Sequence, residues 1–274
     1  SRYVENLAIP IPTFDEYINR SEWLGKRTSL YQMKEADDFN LDVDGFLSHV
    51  RKSKANSALI INPNNPTGGL IDHGTIWHIL ESLRHLDLVI LDESFMDFAG
   101  RDPLPSAQER LHEFPNLMIV KSLSKAYGIA GLRLGCVLTS NPNMVSTIRS
   151  DIPIWSINAL AQFFLEQMPV YKDQFLDSCN RVHSATQKLF KDLESVPYLL
   201  PNPSHGNFIL CKIINGFTAA QLTMRLFQEN RFLINDCSKK KGLNDNYIRI
   251  ASRTNTDNAK LVQTLRSISI TKSP

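Results

Sequence analysis

Three polar groups stand where three apolar runs end. Ser57-Ala58-Leu59-Ile60-Ile61 leads into Asn62-Pro63-Asn64-Asn65-Pro66-Thr67-Gly68, and Leu88-Val89-Ile90-Leu91 runs straight into Asp92-Glu93-Ser94. Leu117-Met118-Ile119-Val120 ends in Lys121-Ser122-Leu123-Ser124-Lys125. An amide, a carboxylate and an amine are offered in turn, with 27 residues from Asn65 to Asp92 and 33 from Asp92 to Lys125. Each alone has a bland explanation: Asn65 shapes a turn before proline, Asp92 caps a helix, Lys125 sits on the surface. Each separation is one strand-plus-helix unit, however, so the three groups recur at corresponding strand ends. An amine that adds to a carbonyl carbon, with an acid and an amide donor beside it, is equipment for covalent amine chemistry.

The cofactor that needs this set is pyridoxal 5'-phosphate. It takes a lysine for its Schiff base and an acid facing the pyridine nitrogen, which keeps the ring protonated and able to withdraw electrons from Cα. An amide donor at the ring oxygen would hold the tilt. The phosphate needs hydroxyls, backbone N–H groups and a cation. Ser122, Ser124 and Arg133 lie within eight residues of Lys125, and Gly128 and Gly131 let the chain turn closely there.

The elements that must position these groups follow from the pattern. Ile76, Ile79, Leu80 and Leu83 recur at helical spacing between the first two runs. Strand, helix and strand at roughly 30-residue spacing is the unit of a parallel sheet, whose ligands bind past the carboxyl strand ends. Leu134-Gly135-Cys136-Val137-Leu138 follows the third run too soon for a helical crossover, so it is predicted antiparallel. After residue 158 the pattern changes. A helix from Asn158 to Met168 stops before Pro169, and a longer one carries Phe175, Cys179, Val182, Leu189 and Leu193 on one face. Strands are predicted at Phe208-Ile209-Leu210, Phe232-Leu233-Ile234 and Tyr247-Ile248-Arg249-Ile250, with helices over Ala219–Gln228 and Asp257–Ile268. The predicted fold is α/β: a large domain over 1–157 with a mostly parallel sheet, and a smaller α+β domain over 158–274.

Composition narrows the partners. The 274 residues are 42% hydrophobic and 21% charged with net charge +2, so no strong field singles out nucleic acid or membrane. The densest basic run, Lys239-Lys240-Lys241 beside Gly242, reads as a solvated loop, with a phosphate-facing loop as the alternative. No apolar run approaches a membrane span, and no charged-then-apolar leader appears. Cys136, Cys179, Cys211 and Cys237 form no CxxC pair, which suggests free thiols, no metal site and a cytoplasmic setting.

Asn-Pro-x-Asn-Pro-Thr-Gly, then Asp-Glu-Ser-Phe, then Ser-Leu-Ser-Lys-Ala-Tyr-Gly-Ile-Ala-Gly-Leu-Arg-Leu-Gly resembles the class I/II aminotransferases of the fold-type I pyridoxal-phosphate superfamily. The histidinol-phosphate aminotransferase and threonine-phosphate decarboxylase branch is the most similar. The resemblance runs from Pro10-Ile11-Pro12-Thr13-Phe14-Asp15-Glu16-Tyr17 to the last helix. It implies Lys125 as the Schiff-base lysine and proton carrier, Asp92 at the pyridine nitrogen, and Asn65 at the ring oxygen. Ser122, Ser124 and Arg133 would hold the phosphate. Arg249 would clamp the substrate α-carboxylate, a task its fork suits better than a lysine. Asn207 aligns with an active-site segment, and His205 beside it reads as a loop histidine.

Three departures matter. Phe95 stands where many relatives carry a tyrosine whose hydroxyl reaches the ring oxygen, so Asn65 would act there alone. Arg253, four residues after Arg249, would meet a substrate phosphate or phosphonate, or would simply pair with Asp257. The family's first quarter, with its Gly-rich loop and stacking aromatic ring, is expected to precede this sequence. Phrases such as Asp151-Ile152-Pro153-Ile154-Trp155 also resemble aminotransferase halves fused behind a nucleotidyltransferase. The leading expectation is transamination between an amino acid and a 2-oxo acid in a homodimer. Decarboxylation of a phosphorylated amino acid on the same site is the alternative, and a non-catalytic ligand-sensing domain a third.

Overall fold

The computed structural model describes residues 2–100 and 104–268. The first half of the chain builds a six-stranded sheet from β1 (Asn6–Ile11), β2 (Arg27–Gln32), β3 (Ser57–Ile61), β4 (Leu88–Asp92), β5 (Leu117–Ser122) and β6 (Gly135–Leu138). Their order is β2-β1-β3-β4-β5-β6. All neighbours are parallel except β5 and β6, which are antiparallel as the short connection requires. Helices α1 (Glu16–Trp23), α2 (Val43–Lys52) and α3 (His73–Ser82) connect successive strands.

The apolar runs are strands because both sheet faces are covered. In β3, Ala58 and Ile60 pack into a core with Phe46, Ile76, Ile79 and Leu80, whereas Leu59 and Ile61 join Leu7, Ile9 and Ile18 on the opposite face. Side chains alternate along a strand, so one five-residue run serves two cores. Asp72 caps α3 by accepting from the Thr75 N–H at 3.0 Å.

A short helix, α4 (Leu123–Ala126), follows β5, and α5 (Pro142–Asp151), α6 (Ala159–Gln167) and the long α7 (Lys172–Leu193) lead away from the sheet. Next come β7 (Leu199–Pro201), β8 (Phe208–Ile213), α8 (Ala219–Asn230), β9 (Asn235–Asp236), β10 (Tyr247–Ala251) and α9 (Asn255–Ser267). The four strands form a separate antiparallel sheet ordered β7-β8-β10-β9. Its core gathers Leu189 and Leu193 of α7, Ile209 and Cys211 of β8, Ile248 and Ile250 of β10, and Leu261 and Leu265 of α9.

One predicted strand moves. Phe232-Leu233-Ile234 is not a strand; the two residues after it are. Arg231 ends α8 in the left-handed conformation, and the Phe232 N–H donates back to Leu226, so this stretch finishes the helix turn before pairing can start. The lysine run is also not a solvated loop throughout: Lys240 pairs with Asp15 and Lys241 with Glu22, each at 2.6 Å.

Candidate active site

Asp92 is the last residue of β4 and is buried. Its Oδ1 accepts from the Ser94 N–H at 2.9 Å, and its Oδ2 accepts from the Tyr17 hydroxyl at 2.7 Å. Both donors are neutral, and Asp92 has no cation partner among the described residues. Burial and the adjacent Asp92 charge push the Tyr17 phenol well above the ordinary tyrosine range, so Tyr17 stays a donor. Phe14 lies edge-on to Tyr17, ring centres 6.3 Å apart, with 44% of its surface exposed. Neither Tyr17 nor Ser94 is among the predicted site residues, although Ser94 stands inside the Asp-Glu-Ser-Phe motif. Tyr17 does fall inside the Pro-Thr-Phe segment, and that is the signal that could have found it.

Ser94 ties two strand ends together. Its Oγ accepts from the Ser122 N–H at 2.9 Å, so the end of β5 is registered against the end of β4. Lys125 sits in α4 and is exposed, with its Nζ 5.8 Å from the Phe95 ring centre. Ser124 is buried and Ser122 half-buried beside it. Arg133 is exposed, adopts a left-handed φ of 58° and donates to the Ala130 carbonyl at 2.9 Å. Behind this turn, Lys121 is paired with Asp97 at 2.9 Å and so is occupied.

From the other sheet, β10 presents Arg249. Its Nη1 donates to Asn65 Oδ1 at 2.5 Å across 184 residues of sequence. The guanidinium lies 5.0 Å from the Phe208 ring centre, and Phe208 meets Phe95 edge-on at 5.1 Å. Arg249 Nε is buried without a hydrogen-bond partner, and no carboxylate pairs with the side chain among the described residues. Burial lowers its pKa, as expected for a cation taken from water.

Gly68 explains how the Asn65 loop comes so close to the second sheet. Its φ is +80°, and a Cβ there would lie 2.2 Å from Ser204 Oγ, while the Gly68 carbonyl accepts from the His205 N–H at 2.8 Å. His205 is therefore a contact between the two halves, with Nδ1 also 3.2 Å from the Ala99 carbonyl oxygen. Asn207 is half-buried just before β8, and its carbonyl accepts from the Ser252 N–H at 2.8 Å. Arg253 is the outlier: it is exposed and its Nε lies 3.4 Å from Asp257 Oδ2, the simple pairing. A cavity of about 330 Å³ lined by Thr13, Met33, Phe39, Asn64 and Asp72 lies apart, since Lys125, Asp92 and Arg249 do not line it.

The site thus holds a buried anion with neutral donors only and a half-buried cation with no carboxylate. Leaving either charge uncompensated costs several kcal/mol. The arrangement fits a ligand cationic at one end and anionic at the other. A protonated pyridine nitrogen suits Asp92, and a carboxylate suits the Nε edge of Arg249.

The class I and II aminotransferase family model matches residues 4–268. The chain is 33% identical over 264 residues to a CMP-5'-(3-aminopropyl)phosphonate synthase of Streptomyces rubellomurinus, covering 96% of this chain but 41% of that protein. It is 30% identical over 270 residues to the L-serine phosphate decarboxylase Cj1436c of Campylobacter jejuni, covering 95% of this chain and 68% of the relative. A solved decarboxylase from Sulfurospirillum multivorans superposes with a TM-score of 0.90 at 27% identity, over 97% of this chain and 76% of the other. The chain spans about two-fifths of the phosphonate synthase and about two-thirds of the serine phosphate decarboxylase.

Proposed function

Because the chain belongs to the class I and II aminotransferases, a family of pyridoxal-phosphate enzymes, we propose that it breaks a bond at Cα of an α-amino acid, and that this bond is the one to the carboxylate of a phosphorylated or phosphonate-bearing amino acid. The observation that carries the amino-acid reading is the pair of uncompensated charges, Asp92 and Arg249. The similarity to the L-serine phosphate decarboxylase and to the Sulfurospirillum decarboxylase supports the choice of bond and substrate class. Transamination to a 2-oxo acid is the second reading, favoured by the aminotransferase motifs around Asn65, Asp92 and Lys125.

In this reading the cofactor would be held by Lys125 at its carbonyl carbon, Asp92 at the ring nitrogen, Asn65 at the ring oxygen, and Ser122, Ser124 and Arg133 at the phosphate. When bound, it supplies a sink for the electron pair left at Cα. The protein's own residues do the rest. Arg249 binds and orients the α-carboxylate through its Nε edge, since Nη1 is engaged by Asn65. Tyr17 and Ser94 hold both Asp92 oxygens, fixing the carboxylate plane. Phe95 and Phe208, both buried and edge-on to each other, lie between Lys125 and Arg249 as an apolar wall. Lys125 carries the proton at Cα: it delivers one after carboxylate loss, or removes one in transamination.

The division at 157/158 into two domains and the cytoplasmic homodimer belong to the same proposal. Trp155, 93% exposed, with Ile154, Leu160 and Phe163 also exposed, supports a contact with a second polypeptide. Incubating the purified full-length protein with O-phosphoserine separates the reactions. Carbon dioxide released without added 2-oxo acid supports decarboxylation. Phosphorylated 2-oxo acid formed only with an amino acceptor supports transamination, and neither product overturns both.

A further inference from the structure

Two lysines of the run, Lys240 and Lys241, form ion pairs that the site just described does not use, and they touch the segment that carries Tyr17. We propose that Lys240, Lys241 and Gly242 form a clamp that positions Asp92: they grip α1 at both ends, and Tyr17 in its first turn passes that position to the Asp92 carboxylate. The proposal rests on the pyridoxal-phosphate reading and assigns these residues as positioning residues for it.

Lys240 Nζ meets Asp15 Oδ2 at 2.6 Å, and Asp15 is the residue that opens α1. Lys240 is only 14% exposed, so this pair is screened far less than a surface pair. The other oxygen, Asp15 Oδ1, is buried without a hydrogen-bond partner, which leaves Lys240 as its compensating charge. Lys241 Nζ meets Glu22 Oε1 at 2.6 Å in the last turn of α1. Just after these grips the loop backbone lies against Ile11 and Pro12, where the Pro-Thr-Phe segment begins. Gly242 has φ +89°, and a Cβ there would lie 3.0 Å from Pro12 N and 3.2 Å from the Ile11 carbonyl carbon. Its carbonyl accepts from Gln32 Nε2 at 3.3 Å. From the helix so held, Tyr17 donates to Asp92 Oδ2.

The loop also has a second connection. It joins β9 to β10, and β10 carries Arg249. One stretch of backbone therefore ties the residue for the substrate carboxylate to the helix that orients the ring-nitrogen acid. Any shift of β10 on carboxylate binding reaches Asp92 through Lys240, α1 and Tyr17.

A double-mutant cycle on the full-length protein tests this, reading pyridoxal-phosphate affinity from the visible absorbance of the bound cofactor. Tyr17→Phe is expected to weaken affinity about tenfold and Lys240→Met by about fivefold, on the scale of one lost hydrogen bond each. If Lys240 acts through Tyr17, the double variant loses no more than Tyr17→Phe alone. Lys240→Arg restores most of the affinity, and Lys239→Met, an exposed neighbour with no ion pair among the described residues, leaves it unchanged. Additive losses, or a Lys240→Met protein that binds like the wild type, overturn the clamp. Should Lys240→Met fail to fold, Lys241→Met, which breaks the grip on Glu22, paired with Tyr17→Phe gives the same cycle. A wild-type protein without cofactor affinity overturns the functional reading instead.

Discussion

Replacing Arg249 by lysine keeps the positive charge and removes the fork. Arg249 spends Nη1 on Asn65 and has Nε buried and unpartnered, so in the proposed reading a carboxylate that reaches its Nε edge would meet two parallel donors. Lysine offers a point charge and cannot satisfy both oxygens in that geometry. Losing one charge-assisted hydrogen bond costs about 1.5–3 kcal/mol. Lost stacking over Phe208, now at 5.0 Å, adds roughly 0.5–1 kcal/mol. Taking the hydrogen bond alone, KM for an amino acid should rise about 10- to 150-fold. In decarboxylation, negative charge leaves the guanidinium's reach as the bond breaks, so the weaker grip should spare kcat. The assay is steady-state kinetics on O-phosphoserine alongside inhibition by the matching amine without its carboxylate. The amine should bind Arg249→Lys and wild type equally. A KM change below about twofold, or an equal loss of affinity for the amine, would refute Arg249 as the carboxylate receptor.

Four further outcomes follow from the same geometry. Lys125→Ala should abolish the visible band that survives gel filtration and remove turnover; full turnover would sink the lysine assignment. Gly68→Ala should lower stability in urea by at least about 1–2 kcal/mol, because alanine must adopt φ +80° and its Cβ must displace Ser204. Arg253→Ala should change stability by less than about 0.5 kcal/mol, since its pair with Asp257 is exposed, and should leave KM intact; a loss confined to phosphorylated substrates would instead give Arg253 the phosphate. Burial pushes the Cys179 thiol from 9.0 up to about 11, so the unfolded chain loses that proton first and stability should fall as pH rises from 9 to 11; Cys179→Ala, though less stable at neutral pH, should show a flatter slope in thermal melts, and an unchanged slope would contradict the shift.

What the sequence made legible was the buried machinery of the first sheet. A strand covered on both faces must be apolar throughout, so β3, β4 and β5 announce themselves and their first polar residues mark the strand ends. β2 did not show, because Arg27–Gln32 is an edge strand of mostly half-exposed polar residues. Short-range patterning also misplaced β9, where the apolar stretch closes a helix and the pairing residues, Asn235 and Asp236, are polar. The partners of Tyr17 and Lys240 were illegible for a different reason. Tyr17 meets Asp92 from 75 residues away and Lys240 meets Asp15 from 225 away, and no local pattern encodes such partners.

The separation of Asp92 from Arg249 is itself informative. Buried charges normally take a partner of opposite sign, because pairing recovers part of the desolvation each has suffered. Here each is instead engaged by neutral groups: Asp92 by Tyr17 and Ser94, Arg249 by Asn65 and the Phe208 face. Phe95 and Phe208, packed edge-on, form an apolar partition that keeps Lys125 and Arg249 on one connected surface and gives Arg249 no internal carboxylate. A tyrosine at position 95 would bring a hydroxyl to that partition; with phenylalanine there, the proposed reading asks Asn65 to serve both the ring oxygen and Arg249. In that reading Asn65 would be shared between the cofactor's side of the site and the substrate's side. A carboxylate that recruits Arg249 away from Asn65 Oδ1 would change what the amide offers to the ring, placing substrate recognition and ring electronics on one side chain.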